Sequence, residues 1–101
     1  MTTKMKKKNS TVSGSDRKRL DVFRRDIDGI DQGLVRLLNK RAVKALKVGA
    51  IKKTAGVGVY DPAREADVLR RVSSLNKGPL SGAAIRSIYR NIISACRSRQ
   101  K

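Results

Sequence analysis

Residues 20–51 read LDVFRRDIDGIDQGLVRLLNKRAVKALKVGAI. Apolar side chains recur at spacings of three and four through Leu20, Phe23, Ile27, Ile30, Leu34, Leu37, Leu38, Ala45, Val48 and Ile51, the period of one face of an α-helix. No proline interrupts the pattern, although Gly29 and Gly33 weaken it by roughly 1 kcal/mol each relative to alanine. The spacing predicts one helix that opens near Ser15-Asp16, residue types suited to an N-cap. It stops at TAGVGVY, residues 54–60, where Gly56 and Gly58 read as loop residues. At 1.5 Å per residue, about 38 residues make roughly 57 Å of helix, whereas a compact chain of this length has a radius of gyration near about 13 Å. The remaining segments are too short to cover such a stripe. The simplest cover is a second copy related by a two-fold axis, so the expectation is an intertwined helical homodimer.

Two shorter helices follow. In YDPARE, residues 60–65, Asp61 is an N-cap and Pro62 takes the first helical position, and Val68, Leu69, Val72 and Leu75 form an apolar face. NKGPLS, residues 76–81, ends that helix, with Gly78 as a stop and Pro79 beyond it. Ser81 caps a third helix whose stripe runs Ile85, Ile88, Tyr89, Ile92, Ile93, Cys96 and then Gln100. No segment alternates at period two, so the fold class is all-α: three helices per chain, one long and two shorter. Residues 1–15, MTTKMKKKNSTVSGS, are basic and polar without apolar periodicity; they read as a disordered, solvated tail ahead of a domain over residues 16–101.

Composition narrows the chemistry. Twenty-five Lys and Arg against 8 Asp and Glu give a formal net charge of +17, which points to an anionic partner. No run of apolar residues is long enough for a membrane span, and the start lacks the apolar segment of a secretory signal. Cys96 is the single cysteine, which fits a reducing cytoplasm. There is no histidine, which removes His-based triads, imidazole general bases and the common zinc sets. An enzyme of this composition works with Arg, Lys, Glu, Asp, amides or one thiol. Nucleic acid is the weaker reading of the charge, because there is no clear short helix-turn-helix and few aromatic residues for stacking.

The long helix also carries charges on its inward stripe. Arg41 and Lys52 stand where a core calls for Leu or Ile. They are separated by close to three turns and project within about 20° of each other, with Ala45 and Val48 between them and Gly49 beside that strip. Two readings fit: a cavity for a compact anion, or two side chains that snorkel to solvent from the stripe edges. Gln100, one turn beyond Cys96, is either an amide on the line of the isoleucines or a frayed end. Glu65 complements the dipole of the second helix from its first turn, whereas Arg64 there is unfavourable and needs another reason. Arg24 projects about 100° away from Arg41 and would serve a cavity on another copy more readily than one on its own chain.

These residues resemble the all-helical class of chorismate mutases over residues 20–100. The resemblance runs through FRRDIDGIDQGLVRLLNKR, VGAIKK, YDPAREADVL, NKGPL and IISACRSRQ, five pieces in order at matching spacing. NKGPL and IISAC are most similar to the mutase domain that precedes prephenate dehydratase in bifunctional proteins. A stand-alone mutase and one domain of a longer chain, with a fused or associated pathway enzyme such as prephenate dehydratase, both fit it.

The resemblance implies the Claisen rearrangement of chorismate to prephenate in aromatic amino acid biosynthesis, with no cofactor and no metal. It implies that Arg24 of the partner subunit and Arg41 hold substrate carboxylates. Lys52 would bind a carboxylate and donate to the ether oxygen, and Gln100 would donate to that oxygen from the other side. Glu65 would accept from the ring hydroxyl, with Arg64 beside it and Asp61 and Cys96 lining the wall. Cys96 departs from the hydroxyl or other small residue of many members, which makes it wall rather than donor. Gly29 and Gly33 are unusual choices in the long helix, and the charge is high for a metabolic enzyme. Isochorismate pyruvate lyases share the fold and cationic pocket; the complete set of Arg41, Lys52, Glu65 and Gln100, with NKGPL, favours the mutase.

Overall fold

The computed structural model describes residues 12–100. Among them the chain forms three α-helices and no strand: α1 (Gly14–Thr54), α2 (Pro62–Leu75) and α3 (Gly82–Gln100). Residues 1–11 of the expected tail, and Lys101, lie outside the described residues.

Helix α1 opens two residues earlier than Ser15-Asp16. Ser13 is the capping side chain, its Oγ accepting from the Asp16 backbone N–H at 3.1 Å. Asp16 instead occupies the first turn and pairs with Arg19, where a carboxylate opposes the helix dipole favourably. At the other end, the Val57 N–H reaches back to the Lys52 carbonyl at 2.9 Å and the Gly56 N–H to the Lys53 carbonyl at 3.1 Å. Gly56 has φ of 75°, a left-handed conformation that glycine adopts without a Cβ penalty. This pair of bonds around a left-handed glycine is a Schellman motif, and it ends the helix within a turn of Lys52.

Helix α2 begins as its sequence predicts. Asp61 Oδ1 accepts from the Arg64 N–H at 3.0 Å, and Pro62 follows at the first position. The helix ends at Leu75, where the Asn76 side chain organises the turn by donating to the Leu80 carbonyl at 2.6 Å. Ser81 then caps α3, its Oγ accepting from the Ala84 N–H at 3.0 Å.

The chain divides into a unit up to Arg36 and a unit from Leu37 onward. In the first, Leu20, Phe23, Ile27, Ile30 and Leu34 are all exposed, Phe23 at 63 % and Ile30 at 62 %. Gly29 and Gly33 meet nothing within 4 Å of where a Cβ would stand. In the second, α2 and α3 pack antiparallel, as the pairings Glu65 with Arg97 and Ser73 with Arg86 require. Val68 from α2 and Ile93 and Cys96 from α3 are its buried apolar side chains. That core is thin, so the helix ends contribute a large share of local order.

Replacing Ser81 by Ala leaves the α3 N-terminal amides without their side-chain acceptor, and should destabilise the fold by about 1 kcal/mol. Thermal unfolding at fixed protein concentration should show a midpoint lower by roughly 4–8 °C, restored by Ser81→Asp. An unchanged midpoint in Ser81→Ala would mean that the cap contributes nothing.

Candidate active site

The second unit contains a cavity of about 260 Å³, near the small end of ligand pockets. Helix α1 contributes Arg41, Lys44, Ala45, Val48 and Lys52; the following loop contributes Val59 and Asp61. Helix α2 supplies Arg64, Glu65, Val68 and Arg71, and α3 supplies Ile93, Cys96, Arg97 and Gln100. Arg41 and Lys52 therefore line a cavity, and the snorkelling alternative is set aside.

Six cations face two carboxylates here. Both carboxylates pair across element boundaries. Lys52 Nζ lies 3.6 Å from Asp61 Oδ2 and 3.5 Å from the Val59 carbonyl. Its side chain is 22 % exposed, held between the loop and the cavity by the turn at Gly56. Asp61 does two jobs, since its other oxygen caps α2. Glu65 pairs with Arg97 of α3, whose guanidinium also lies over the Tyr60 ring, 4.9 Å from its centroid. Among the described residues, Arg41, Lys44, Arg64 and Arg71 have no carboxylate within ion-pair distance. The cavity thus has an excess of positive charge suited to a compact anion with more than one negative group.

Gln100 is not frayed. Its Nε2 donates to the Ala45 carbonyl at 2.7 Å, which leaves the second amide hydrogen without a partner among the described residues and available to a ligand. The reason it can reach is Gly49, which is buried. A Cβ there would stand 3.0 Å from both Cβ and Cγ of Gln100, so the glycine admits the last turn of α3 against α1. Gly49 is the seat of Gln100 rather than cavity floor. Cys96 is a buried free thiol in the wall.

All the sequence-predicted site residues from Arg41 onward therefore come together: Arg41, Lys52, Asp61, Arg64, Glu65, Cys96 and Gln100. Arg24 belongs to the unit up to Arg36, where its side chain is exposed. Sequence reasoning missed Lys44, Arg71 and Arg97. Each had a spacing signal: Lys44 is one turn after Arg41, Arg71 two turns after Arg64, and Arg97 one turn before Gln100. Among the described residues no cluster of His, Cys, Asp and Glu could hold a metal ion, and no helix is long and apolar enough to cross a membrane.

Residues 23–101 match the chorismate mutase type II family. The chain belongs to that family. A bifunctional chorismate mutase/prephenate dehydratase of Aquifex aeolicus is 41 % identical over 86 residues, covering 81 % of this chain and 24 % of that protein. The chain thus spans about a quarter of the length of that relative. Chorismate mutase from Thermus thermophilus superimposes with a TM-score of 0.80 at 27 % identity, covering 81 % of this chain and 93 % of that one. Chorismate mutase from Helicobacter pylori in complex with prephenate gives a TM-score of 0.76 at 32 % identity, covering 82 % and 90 %. The three-helix chorismate mutase fold inferred from the sequence is the fold observed.

Gly49→Ala gains helix propensity but requires Gln100 to give way by a few tenths of an ångström. In amide NMR spectra, the Gln100 side-chain resonances should lose their protection from solvent exchange while the helical signal in circular dichroism persists. Unchanged Gln100 resonances would show that the turn absorbs the methyl group without releasing its bond to Ala45.

Proposed function

We propose that this chain is a chorismate mutase domain that rearranges chorismate to prephenate as a homodimer in the cytoplasm, with residues 16–101 as the catalytic domain. The observation that carries the reading is the convergence of Arg41, Lys52, Glu65 and Gln100, from three helices, on one cationic cavity. The similar Helicobacter pylori enzyme, in complex with prephenate, supports it.

The reaction breaks an ether C–O bond and forms a C–C bond within one molecule, with no proton transfer and no covalent enzyme intermediate. A chain without histidine can supply everything it needs. The substrate is a dianion whose two reacting carbons must be brought together, and fixing that conformer removes an entropic barrier. Arg41 offers a bidentate fork to one carboxylate. Lys52, steadied by Asp61 and the Val59 carbonyl, binds a carboxylate and donates to the ether oxygen. Gln100 donates to the same oxygen with its second amide hydrogen, its first being held by Ala45. As the C–O bond breaks, negative charge grows on that oxygen, and donors already in place stabilise it without reorganising. Glu65 accepts from the ring hydroxyl, Arg64 adds positive charge at the mouth, and Cys96 closes the wall.

The exposed apolar stripe of α1 supports a second copy as its cover, intertwined with the first so that Arg24 of the partner subunit completes the site. The relatives that join a mutase to prephenate dehydratase support a fused or associated dehydratase as a further partner.

The direct test is ultraviolet detection of chorismate loss, with a size measurement on the same sample. Lys52→Ala should lower kcat by about 10²-fold or more, on the order of 3 kcal/mol of transition-state stabilisation, with helical content unchanged. Native rates in that variant would sink the assignment of Lys52.

A shared site makes a second outcome testable. Arg24→Ala and Arg41→Ala should each be nearly inactive, yet mixing them should restore activity once subunits exchange. Each mixed dimer then has one site lacking both arginines and one lacking neither. No recovery, with exchange demonstrated, would count against a site built from two subunits.

A further inference from the structure

We infer that Arg97 is a positioning residue for Glu65, setting the carboxylate that receives the substrate hydroxyl; this rests on the mutase reading above. Arg97 lies on α3 and Glu65 on α2, and their ion pair crosses the cavity wall between the two helices. The two side chains are 30 % and 26 % exposed, so the pair is partly withdrawn from solvent and is screened less than a surface pair.

The geometry divides the labour of the carboxylate. Arg97 Nη1 engages Glu65 Oε2, which leaves Oε1 to accept from a ligand hydroxyl. The guanidinium also lies over the Tyr60 ring, 4.9 Å from its centroid, a contact that favours this placement of the fork over one turned toward the dianion. An unpaired carboxylate in this cavity would repel that dianion, and Arg97 offsets the repulsion where Glu65 stands. Asp61, the other cavity carboxylate, is offset in the same way by Lys52. Arg97 thus acts through Glu65, unlike Arg41, which has no such partner among the described residues.

The test is a double-mutant cycle in chorismate turnover on the full chain: native protein, Arg97→Leu, Glu65→Gln and the double variant. Glu65 holds the hydroxyl in ground and transition states alike, so Arg97→Leu should raise KM more than it lowers kcat. The expected loss in kcat/KM is roughly tenfold, within the range of coupling for residues of one ion-pair network. In the Glu65→Gln background the same substitution should cost less than about twofold, because a neutral amide needs no counter-charge. Arg97→Lys should recover part of the loss, since the charge remains while the fork and the stacking go. Should Arg97→Leu lose its helical signal, Arg97→Gln carries the same comparison. Equal losses in both backgrounds would overturn the inference, as would a gain in kcat/KM in Arg97→Leu, which would mean that Arg97 sequesters Glu65. A native protein that leaves chorismate unchanged would overturn the mutase reading, and the inference with it.

Discussion

Like charges gathered in one small cavity repel, and the unit from Leu37 onward is arranged around that repulsion. Two like charges about 8 Å apart, at an effective dielectric near about 20, cost roughly 2 kcal/mol. Six cations lining one cavity would therefore oppose the approach of α1, α2 and α3. Two features offset this. Lys52–Asp61 joins the end of α1 to the loop before α2, and Arg97–Glu65 joins α3 to α2. Of the four unpaired cations, Lys44, Arg64 and Arg71 are exposed to solvent and Arg41 is half-buried. What remains is an unsatisfied positive potential, which is the property a dianion would relieve.

The apolar contribution is small, so local backbone chemistry positions the site. The Schellman motif around Gly56 places Val59 and Asp61 beside Lys52. Asp61 couples two decisions, since one oxygen begins α2 and the other holds Lys52. On the far wall, the absence of a side chain at Gly49 lets α3 bring Gln100 to the Ala45 carbonyl. A backbone acceptor inside a helix and a missing methyl group thus decide where an amide donor points.

The unit up to Arg36 poses the opposite problem, with apolar side chains and little to cover them. Phe23 and Ile30 remain more than half exposed, although burying such side chains is worth about 1.5–3 kcal/mol each. The proposed second copy would bury them and bring an arginine at the same time. Fold stability and catalysis would then depend on one interface.

Much of the fold was legible from local signals. Apolar spacing located all three helices, and Asp61-Pro62, Ser81 and Gly56 marked boundaries correctly, because caps and left-handed turns depend on a few neighbouring residues. The opening of α1 was misplaced by two residues because Ser13, Ser15 and Asp16 are all residue types that cap, and only the backbone path selects among them. Helical period put Arg41 and Lys52 on one strip, and the resemblance supplied roles for Glu65 and Gln100. Period alone could not say whether those cations faced a cavity or water, since one helix face looks the same until another helix packs on it. Tertiary structure decided that. It also decided the pairing of Glu65 with Arg97 and the seating of Gln100 on Gly49. Those contacts join residues far apart in the chain, whose distances are set by how helices pack and not by any spacing along one of them.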